Sequence, residues 1–136
     1  MTNNLVVFDT SVLIDHLRSN CHAARMAALS ASVRHSSVVL AELARGVKTR
    51  QEQEFFAIFE KQHPILTPSE GDWLNSGRVL AAIRQKTGYE APKLRDLHFD
   101  VLIALTARTH DARLITSNRA DFELICKFAE FQLEVW

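Results

Sequence analysis

The sequence predicts one α/β domain, built as a three-layer α/β/α sandwich with a largely parallel central sheet. Short apolar runs typical of buried strands alternate along the chain with longer segments of helical periodicity. The 136 residues are the size of one ordinary domain, 47% of them are hydrophobic, and no linker, repeat or low-complexity tract divides the chain. Residues 1–136 are therefore expected to form a single domain.

The N-terminal half starts with the clearest predicted strand. Residues 5–8 are wholly apolar, as in a strand covered on both faces of a sheet, and the run stops at Asp9. In order, we then expect helices at 12–18 and 22–33, a strand at 35–39, a helix with Leu40, Leu43, Ala44 and Val47 on one side, a helix from about Thr49, and a third strand at 64–68.

The C-terminal half continues the alternation. Residues 69–88 predict a helix that ends at Gly88, a residue type that commonly terminates helices. Residues 89–93 are expected to form a loop. The remaining predicted elements are a helix at 97–110, a strand at 113–116, a short helix at 122–125 and a last strand at 131–135.

Composition excludes several classes of protein. Sixteen Lys and Arg residues balance sixteen Asp and Glu residues, which argues against a generic polyanion binder and against a membrane-surface protein. The two cysteines, Cys21 and Cys126, are far apart and form no zinc-binding or disulfide pattern, as in proteins of a reducing compartment. No basic segment precedes the first apolar run, so we expect no leader peptide, no membrane span and a cytoplasmic location.

Acidic residues follow the predicted strands, at the sheet edge where ligands bind in open parallel sheets. Asp9 follows the first strand, Glu42 is expected in the first helical turn after the second, and Asp121 comes shortly after the strand at 113–116. Each has an ordinary structural explanation. Asp9 could cap a helix, Asn118 and Asp121 could form a capping box, and Glu42 could be favoured by a helix dipole.

Asp100 is harder to explain structurally, because it lies on an apolar helical face. An unpaired charge there would cost several kcal/mol, so Arg45, Arg95 or a metal ion should neutralise it. Its neighbours on that face are Leu97, Ile103, Ala104 and Ala107.

Four carboxylates at one end of a sheet would repel one another unless a cation neutralised them. An all-oxygen set of ligands suits Mg²⁺ or Mn²⁺. Such sites promote attack of water on a phosphodiester, because the metal lowers the pKa of water and stabilises charge on the leaving oxygen.

Four segments of the chain resemble the signature blocks of PIN-domain ribonucleases, in the same order. Among these enzymes, the compact VapC toxins of bacterial type II toxin–antitoxin systems are the most similar in length and pattern. The segments are residues 7–14 (VFDTSVLI), 37–46 (SVVLAELARG), 99–107 (FDVLIALTA) and 114–122 (LITSNRADF).

The resemblance implies a role for each matching residue. Asp9, Glu42 and Asp100 would be the core metal-binding carboxylates, and Asp121 would complete the acidic pocket through water or a second metal. Either Asn118 or Asp121 could supply the last ligand. Ser11, Thr116 and Asn118 would orient water or phosphate, and Asp96, one turn before Asp100, could border the pocket.

The resemblance also implies a substrate and partners. The chain would cleave RNA with Mg²⁺ or Mn²⁺, leaving 5′-phosphate and 3′-hydroxyl ends. It would form a homodimer or a toxin–antitoxin hetero-oligomer, inhibited by a VapB-type antitoxin that inserts an Arg or Lys into the acidic groove. A basic rim could hold the RNA backbone, and its candidate residues are Arg45, Lys48, Arg50 and Arg119.

Other functions remain open at this point. A non-catalytic PIN-like module that binds RNA or protein is the main alternative, although intact acids at all four positions argue against it. A haloacid-dehalogenase-type phosphatase would need a second Asp where this chain has Ser11. A receiver domain would need a Lys after a late strand, but Ser117, Asn118 and Arg119 follow Thr116.

Overall fold

A computed structural model of the chain describes residues 4–136. Within these residues, four parallel strands form one sheet in the order β2-β1-β3-β4, with helices packed around it. The predicted three-layer α/β/α class is confirmed. The elements are β1 (Leu5–Phe8), α1 (Thr10–Ser19), α2 (Ala23–Ala28), β2 (Ser32–Arg34), α3 (Ser37–Gly46), α4 (Arg50–Glu60), α5 (Glu70–Thr87), α6 (Ala91–Thr109), β3 (Ala112–Thr116), α7 (Arg119–Cys126) and β4 (Gln132–Val135).

The two central strands, β1 and β3, set the position of the site. Their side chains are almost entirely buried, because helices cover both faces of the sheet, whereas the edge strands β2 and β4 are partly exposed. Phe8 pairs with Ile115 at the carboxyl end of this pair, and the amide of Asp9 donates to the carbonyl of Ile115 at 2.8 Å. Asp9 and Thr116 therefore lie side by side where the two strands end.

The two longest helices, α5 and α6, pack against each other, and α6 also packs on β3. Ser69 caps α5 in a reciprocal capping box with Asp72, and Gly88 ends the helix in the left-handed region with a φ of 73°. From Val101 to Ala107 every residue of α6 is buried. Because α6 crosses the core, a carboxylate on this helix can reach the end of the sheet.

The second strand lies earlier than predicted. β2 is Ser32–Arg34, the preceding helix ends at Ala28, and residues 37–39 of the strand predicted at 35–39 belong to α3. Ser36 caps α3 by accepting from the amides of Val38 at 3.1 Å and Val39 at 3.5 Å. This cap outweighs the strand preference of the two valines, because it satisfies amide groups that a helix start leaves unpaired.

Two further predictions were wrong. Residues 64–68 form no strand of the sheet, and only an isolated bridge joins Leu66 to Ser36, since prolines at 64 and 68 limit pairing. Residues 89–93 are not all loop, because α6 begins at Ala91 with a proline in its first turn, where the missing amide hydrogen costs nothing. The other predicted elements agree with the structure to within a few residues at their ends.

Two further observations concern membrane-spanning helices and the cysteines. In the described part of the chain, no helix combines the length and apolar character needed to cross a membrane. The two cysteines are free thiols, with Cys21 exposed and Cys126 half-buried.

Candidate active site

Three carboxylates from three elements converge at the carboxyl end of the sheet. Asp9 follows β1, Glu42 lies on α3 and Asp100 lies on α6, and one oxygen from each lies within 4.8 Å of the others. Glu42 is in the second turn of α3, and not in the first turn as expected, because the helix begins at Ser37. The helix dipole acts mainly on the first turn, so it does not account for this glutamate.

Asp9 is held by hydroxyl groups and does not cap the helix after it. Asp9 as a residue is 3% exposed. Its Oδ2 accepts hydrogen bonds from Ser11 Oγ at 2.7 Å and from Thr116 Oγ1 at 2.9 Å. Although Asp9 occupies the N-cap position of α1, its side chain makes no capping bond to that helix. The capping explanation for Asp9 is therefore wrong.

The same hydroxyls tie the loop after β3 to Asp9. The amide of Ser117 donates to Ser11 Oγ at 3.1 Å, and the amide of Asn118 donates to Thr116 Oγ1 at 2.9 Å. Each hydroxyl thus accepts from the loop and donates to the carboxylate. This chain of bonds is stronger than neutral ones because it ends on an anion, and it fixes Asp9 relative to the loop that leads into α7.

Glu42 is held from the adjoining end of α1. Thr10 Oγ1 donates to Glu42 Oε1 at 2.8 Å, and Arg45 Nη2 lies 4.0 Å from Oε2. Arg45 is 71% exposed and its guanidinium lies 5.5 Å from the centroid of the Phe99 ring, so its charge is well screened. Burial raises the pKa of Glu42, the bond from Thr10 lowers it, and the charge of Asp9 raises it further.

Asp100 shows the strongest electrostatic effect in the pocket. Its helical neighbours Leu97, Ile103, Ala104 and Ala107 are all buried. Burial, followed by repulsion from Asp9, Glu42 and Asp121, raises the pKa of Asp100 from an ordinary 3.8 to about 8.

Neither arginine that could neutralise Asp100 does so. Arg45 pairs with Glu42, and Arg95 is exposed. Lys93 is the cation that lowers the pKa of Asp100, and its effect is smaller than each of the effects that raise it. Asp100 is half-buried and keeps its proton near neutral pH, because its ionised form is repelled by the neighbouring acids. A divalent cation would relieve that repulsion, so the three acids fit a hard ion with oxygen ligands.

Asp121 lies beside this group and is engaged by two nitrogen donors. Asn118 caps α7 by accepting from the amide of Asp121 at 3.4 Å, and its Nδ2 donates to Asp121 Oδ2 at 3.1 Å. Lys93 Nζ donates to Asp121 Oδ1 at 3.3 Å. Asp121 is thus outside the three-acid group, but its charge still acts on Asp100.

The remaining predicted residues lie on the surface. Asp96 is exposed, and the charges that act on Asp100 come from other residues. Among the four predicted rim residues, Arg50 pairs with Glu54 at 3.2 Å and Arg119 pairs with Glu123 at 2.8 Å. Lys48 is exposed. Most of the predicted rim is therefore already paired with glutamates, including Arg45 on Glu42.

Sequence reasoning missed Thr10 and Lys93. Thr10 directly follows Asp9, and a hydroxyl next to a candidate pocket acid indicates a donor to the carboxylates. Lys93 falls within the loop predicted at 89–93. Once α6 is extended to Ala91, Lys93 falls seven residues before Asp100, which places the two on one helical face.

A sequence profile of the PIN domain matches residues 6–127. The chain belongs to the PIN-domain family. The match covers all three acids of the group as well as Asp121. No curated protein matches the sequence.

Solved structures extend the comparison to nearly the whole chain. A chain of VapBC2 from Rickettsia felis, bound to a DNA fragment from its promoter, superposes with a TM-score of 0.71 at 23% identity, covering 97% of this chain and 98% of that one. VapBC-1 from nontypeable Haemophilus influenzae gives 0.70 at 25% identity, with 97% and 98% covered. DNA-bound VapBC from Salmonella typhimurium gives 0.70 at 20% identity, with 96% and 97% covered.

Proposed function

We propose that this PIN domain is a Mg²⁺- or Mn²⁺-dependent endoribonuclease and the toxin of a type II toxin–antitoxin system. The observation that carries the activity is the convergence of Asp9, Glu42 and Asp100 within 4.8 Å in a fold whose members are generally nucleases. Repulsion among these three acids destabilises the fold, so a purely structural role does not explain them. They make a good site for a divalent cation.

The chain's own residues provide orientation. Ser11 and Thr116 hold Asp9, and Thr10 holds Glu42, so both carboxylates are fixed before a cation binds. Asp100 is the acid that must lose its proton for binding. A bound Mg²⁺ or Mn²⁺ would supply Lewis acidity, which makes water a stronger nucleophile at neutral pH and stabilises charge on the leaving oxygen.

The reaction is hydrolysis of an RNA phosphodiester. The oxygen of water joins phosphorus while the bond from phosphorus to the 3′ oxygen breaks. One proton of the water ends on that 3′ oxygen and the other is released. The products carry a 5′-phosphate and a 3′-hydroxyl. No side-chain nucleophile takes part, which agrees with a pocket of carboxylates and hydroxyls.

The direct test is RNA cleavage by the purified chain. We expect cleavage with Mg²⁺ or Mn²⁺, none with EDTA, and a loss of about 100-fold or more in Asp100→Asn. Glu130→Gln removes an exposed acid just before β4 and serves as the matched control. Circular dichroism should show that both variants are folded. Undiminished cleavage by Asp100→Asn would show that the three-acid group is not the catalytic site, and a wild type that binds no Mn²⁺ would leave a non-catalytic PIN-like module.

The toxin role rests on the similarity to solved VapBC chains over nearly their full length. We propose a VapB-type antitoxin partner and a homodimer or toxin–antitoxin hetero-oligomer. An Arg or Lys of the antitoxin would pair with the pocket carboxylates in place of the metal. Co-expression with the product of an adjacent small gene should yield a stable complex and suppress cleavage. Unimpaired growth of cells that express the intact chain alone would contradict the toxin role.

A further inference from the structure

Lys93 distinguishes the Asp121 side of the pocket from the three-acid side. Its Nζ lies 3.3 Å from Asp121 Oδ1 and 5.9 Å from the centroid of the Tyr89 ring. The Lys93 side chain is 41% exposed and that of Asp121 is 26% exposed. The ammonium group is therefore placed by a carboxylate and an aromatic face at the edge of the pocket, where it still meets solvent.

The two sides of the pocket differ in what their carboxylates contact. Both oxygens of Asp121 accept from nitrogen donors, Oδ1 from Lys93 and Oδ2 from Asn118 at 3.1 Å. On Asp9, by contrast, the hydroxyls of Ser11 and Thr116 both donate to Oδ2. A cation at Asp121 would have to displace Lys93 or sit against its positive charge.

The position of Lys93 also relates it to Asp100. The two residues are seven apart on α6, on one face of the helix, and Lys93 is the cation whose charge acts on Asp100. One ammonium group thus pairs with Asp121 and acts electrostatically on Asp100. A second divalent ion held by Asp121 and Asp100 would have to bind against this positive charge.

We propose that Lys93 takes the place of a second metal ion, so that the pocket holds one divalent cation between Asp9, Glu42 and Asp100 and presents the Lys93 ammonium to the RNA phosphate. This inference rests on the proposed nuclease function and adds to it the metal count and a substrate-binding residue. Lysine suits the role because its ammonium is a compact charge with three donors, of which Asp121 accepts one.

The metal count is tested by titrating Mn²⁺ into the full chain, with calorimetry and electron paramagnetic resonance to count bound ions. We expect one Mn²⁺ in the wild type and one in Asp121→Asn, with dissociation constants within about threefold. Lys93→Met frees Asp121 and should bind a second, weaker Mn²⁺, which the double variant with Asp121→Asn should lose. Lys93→Arg keeps the charge and should bind one ion. Lys86→Met removes an exposed lysine of α5 and is the matched control.

The outcomes separate the inference from the proposed function. Two ions in the wild type, one of them lost in Asp121→Asn, would overturn the inference and leave the nuclease intact. A single ion in Lys93→Met would overturn it as well. A wild type that binds no Mn²⁺ would instead contradict the proposed function.

The phosphate contact is tested without catalysis, in an Asp100→Asn background. Fluorescence anisotropy with a short labelled single-stranded RNA should show binding about 3- to 10-fold weaker when Lys93→Met is added. Lys93→Arg should restore most of it, and Lys86→Met should not change it. Equal RNA binding with and without Lys93→Met would refute a contact between this lysine and the phosphate.

Discussion

Thr116 Oγ1 donates a 2.9 Å hydrogen bond to Asp9 Oδ2 and so joins the carboxyl ends of the two central strands. Thr116 is fully buried and Asp9 nearly so, which means that water cannot replace this bond. The hydroxyl also accepts from the amide of Asn118. One side chain therefore connects the sheet, the first acid and the loop before α7.

Thr116→Val should lower both stability and metal affinity. Valine has the same shape but leaves Asp9 without one donor, so we expect unfolding free energy to fall by about 1–3 kcal/mol and Mn²⁺ affinity by about 10-fold. Urea unfolding and calorimetry measure the two effects. In the control, Thr106→Val, the lost bond goes to the carbonyl of Leu102 inside α6, so Mn²⁺ affinity should not change. Unaltered metal affinity in Thr116→Val would mean that this hydroxyl does not position Asp9 for the ion.

Ionisation of Asp100 should destabilise the metal-free chain as the pH rises from about 4 to about 8. The pKa of Asp100 is about 8 in the folded state against an ordinary 3.8, so the folded state holds an extra proton across this range and its stability is lost as that proton leaves. Glu42, whose pKa is also raised, acts in the same direction.

Asp100→Asn isolates this contribution. The variant cannot ionise at position 100. Its unfolding free energy minus that of the wild type should therefore be about 1–3 kcal/mol larger at pH 8.5 than at pH 5. Urea unfolding in EDTA at the two pH values gives the difference. A difference that is independent of pH would show that Asp100 has an ordinary pKa in the folded chain.

Metal binding should release protons. With a pKa of about 8, Asp100 is largely protonated at pH 7, and because a cation binds the carboxylate, roughly one proton should leave per ion bound. Calorimetric titrations of Mn²⁺ in two buffers with different ionisation enthalpies count the protons. The count should fall toward zero at pH 9, and a value near zero already at pH 7 would contradict the raised pKa.

Ser36→Ala should weaken metal binding from a distance. Ser36 caps the helix that carries Glu42, and its loss should cost about 0.5–2 kcal/mol and loosen the start of α3. Thr49→Ala removes the cap of α4 at a similar cost in stability, but α4 carries none of the three acids. Thermal unfolding and Mn²⁺ titration should show both variants destabilised and only Ser36→Ala impaired in binding. Equal affinity in the two would separate the cap from the site.

The sequence carried most of the information about the sheet and the acids. The apolar run at 5–8 and the strand before Ser117 are recognisable in the sequence because both are buried on two faces. The candidate acids are recognisable because each either follows a predicted strand or lies on an apolar helical face. The structure brings Asp9, Glu42 and Asp100 together as three parts of one group.

What could not be predicted depends on local competition and on distant contacts. Val38 and Val39 favour a strand by residue type, but the cap formed by Ser36 places them in a helix. Lys93 depends on where α6 begins and on the position of Asp121, which lies on another element. Pairing of Arg50 and Arg119 with glutamates is likewise a matter of side-chain geometry that charge counting does not contain.

The strand order β2-β1-β3-β4 pairs β1 with a strand that is synthesised about a hundred residues after it, so the pocket forms only once β3 has been made. β1 leaves the ribosome well before its neighbour β3, which is completed only at Thr116. Asp9 gains the hydrogen bond from Thr116 only after β3 is complete. Asp100, which lies near Asp9 in the pocket, is carried by a helix that ends at Thr109. A nascent chain that stops short of Thr116 lacks one of the two hydroxyl donors that hold Asp9, so we expect the proposed activity to begin only after β3 has been synthesised.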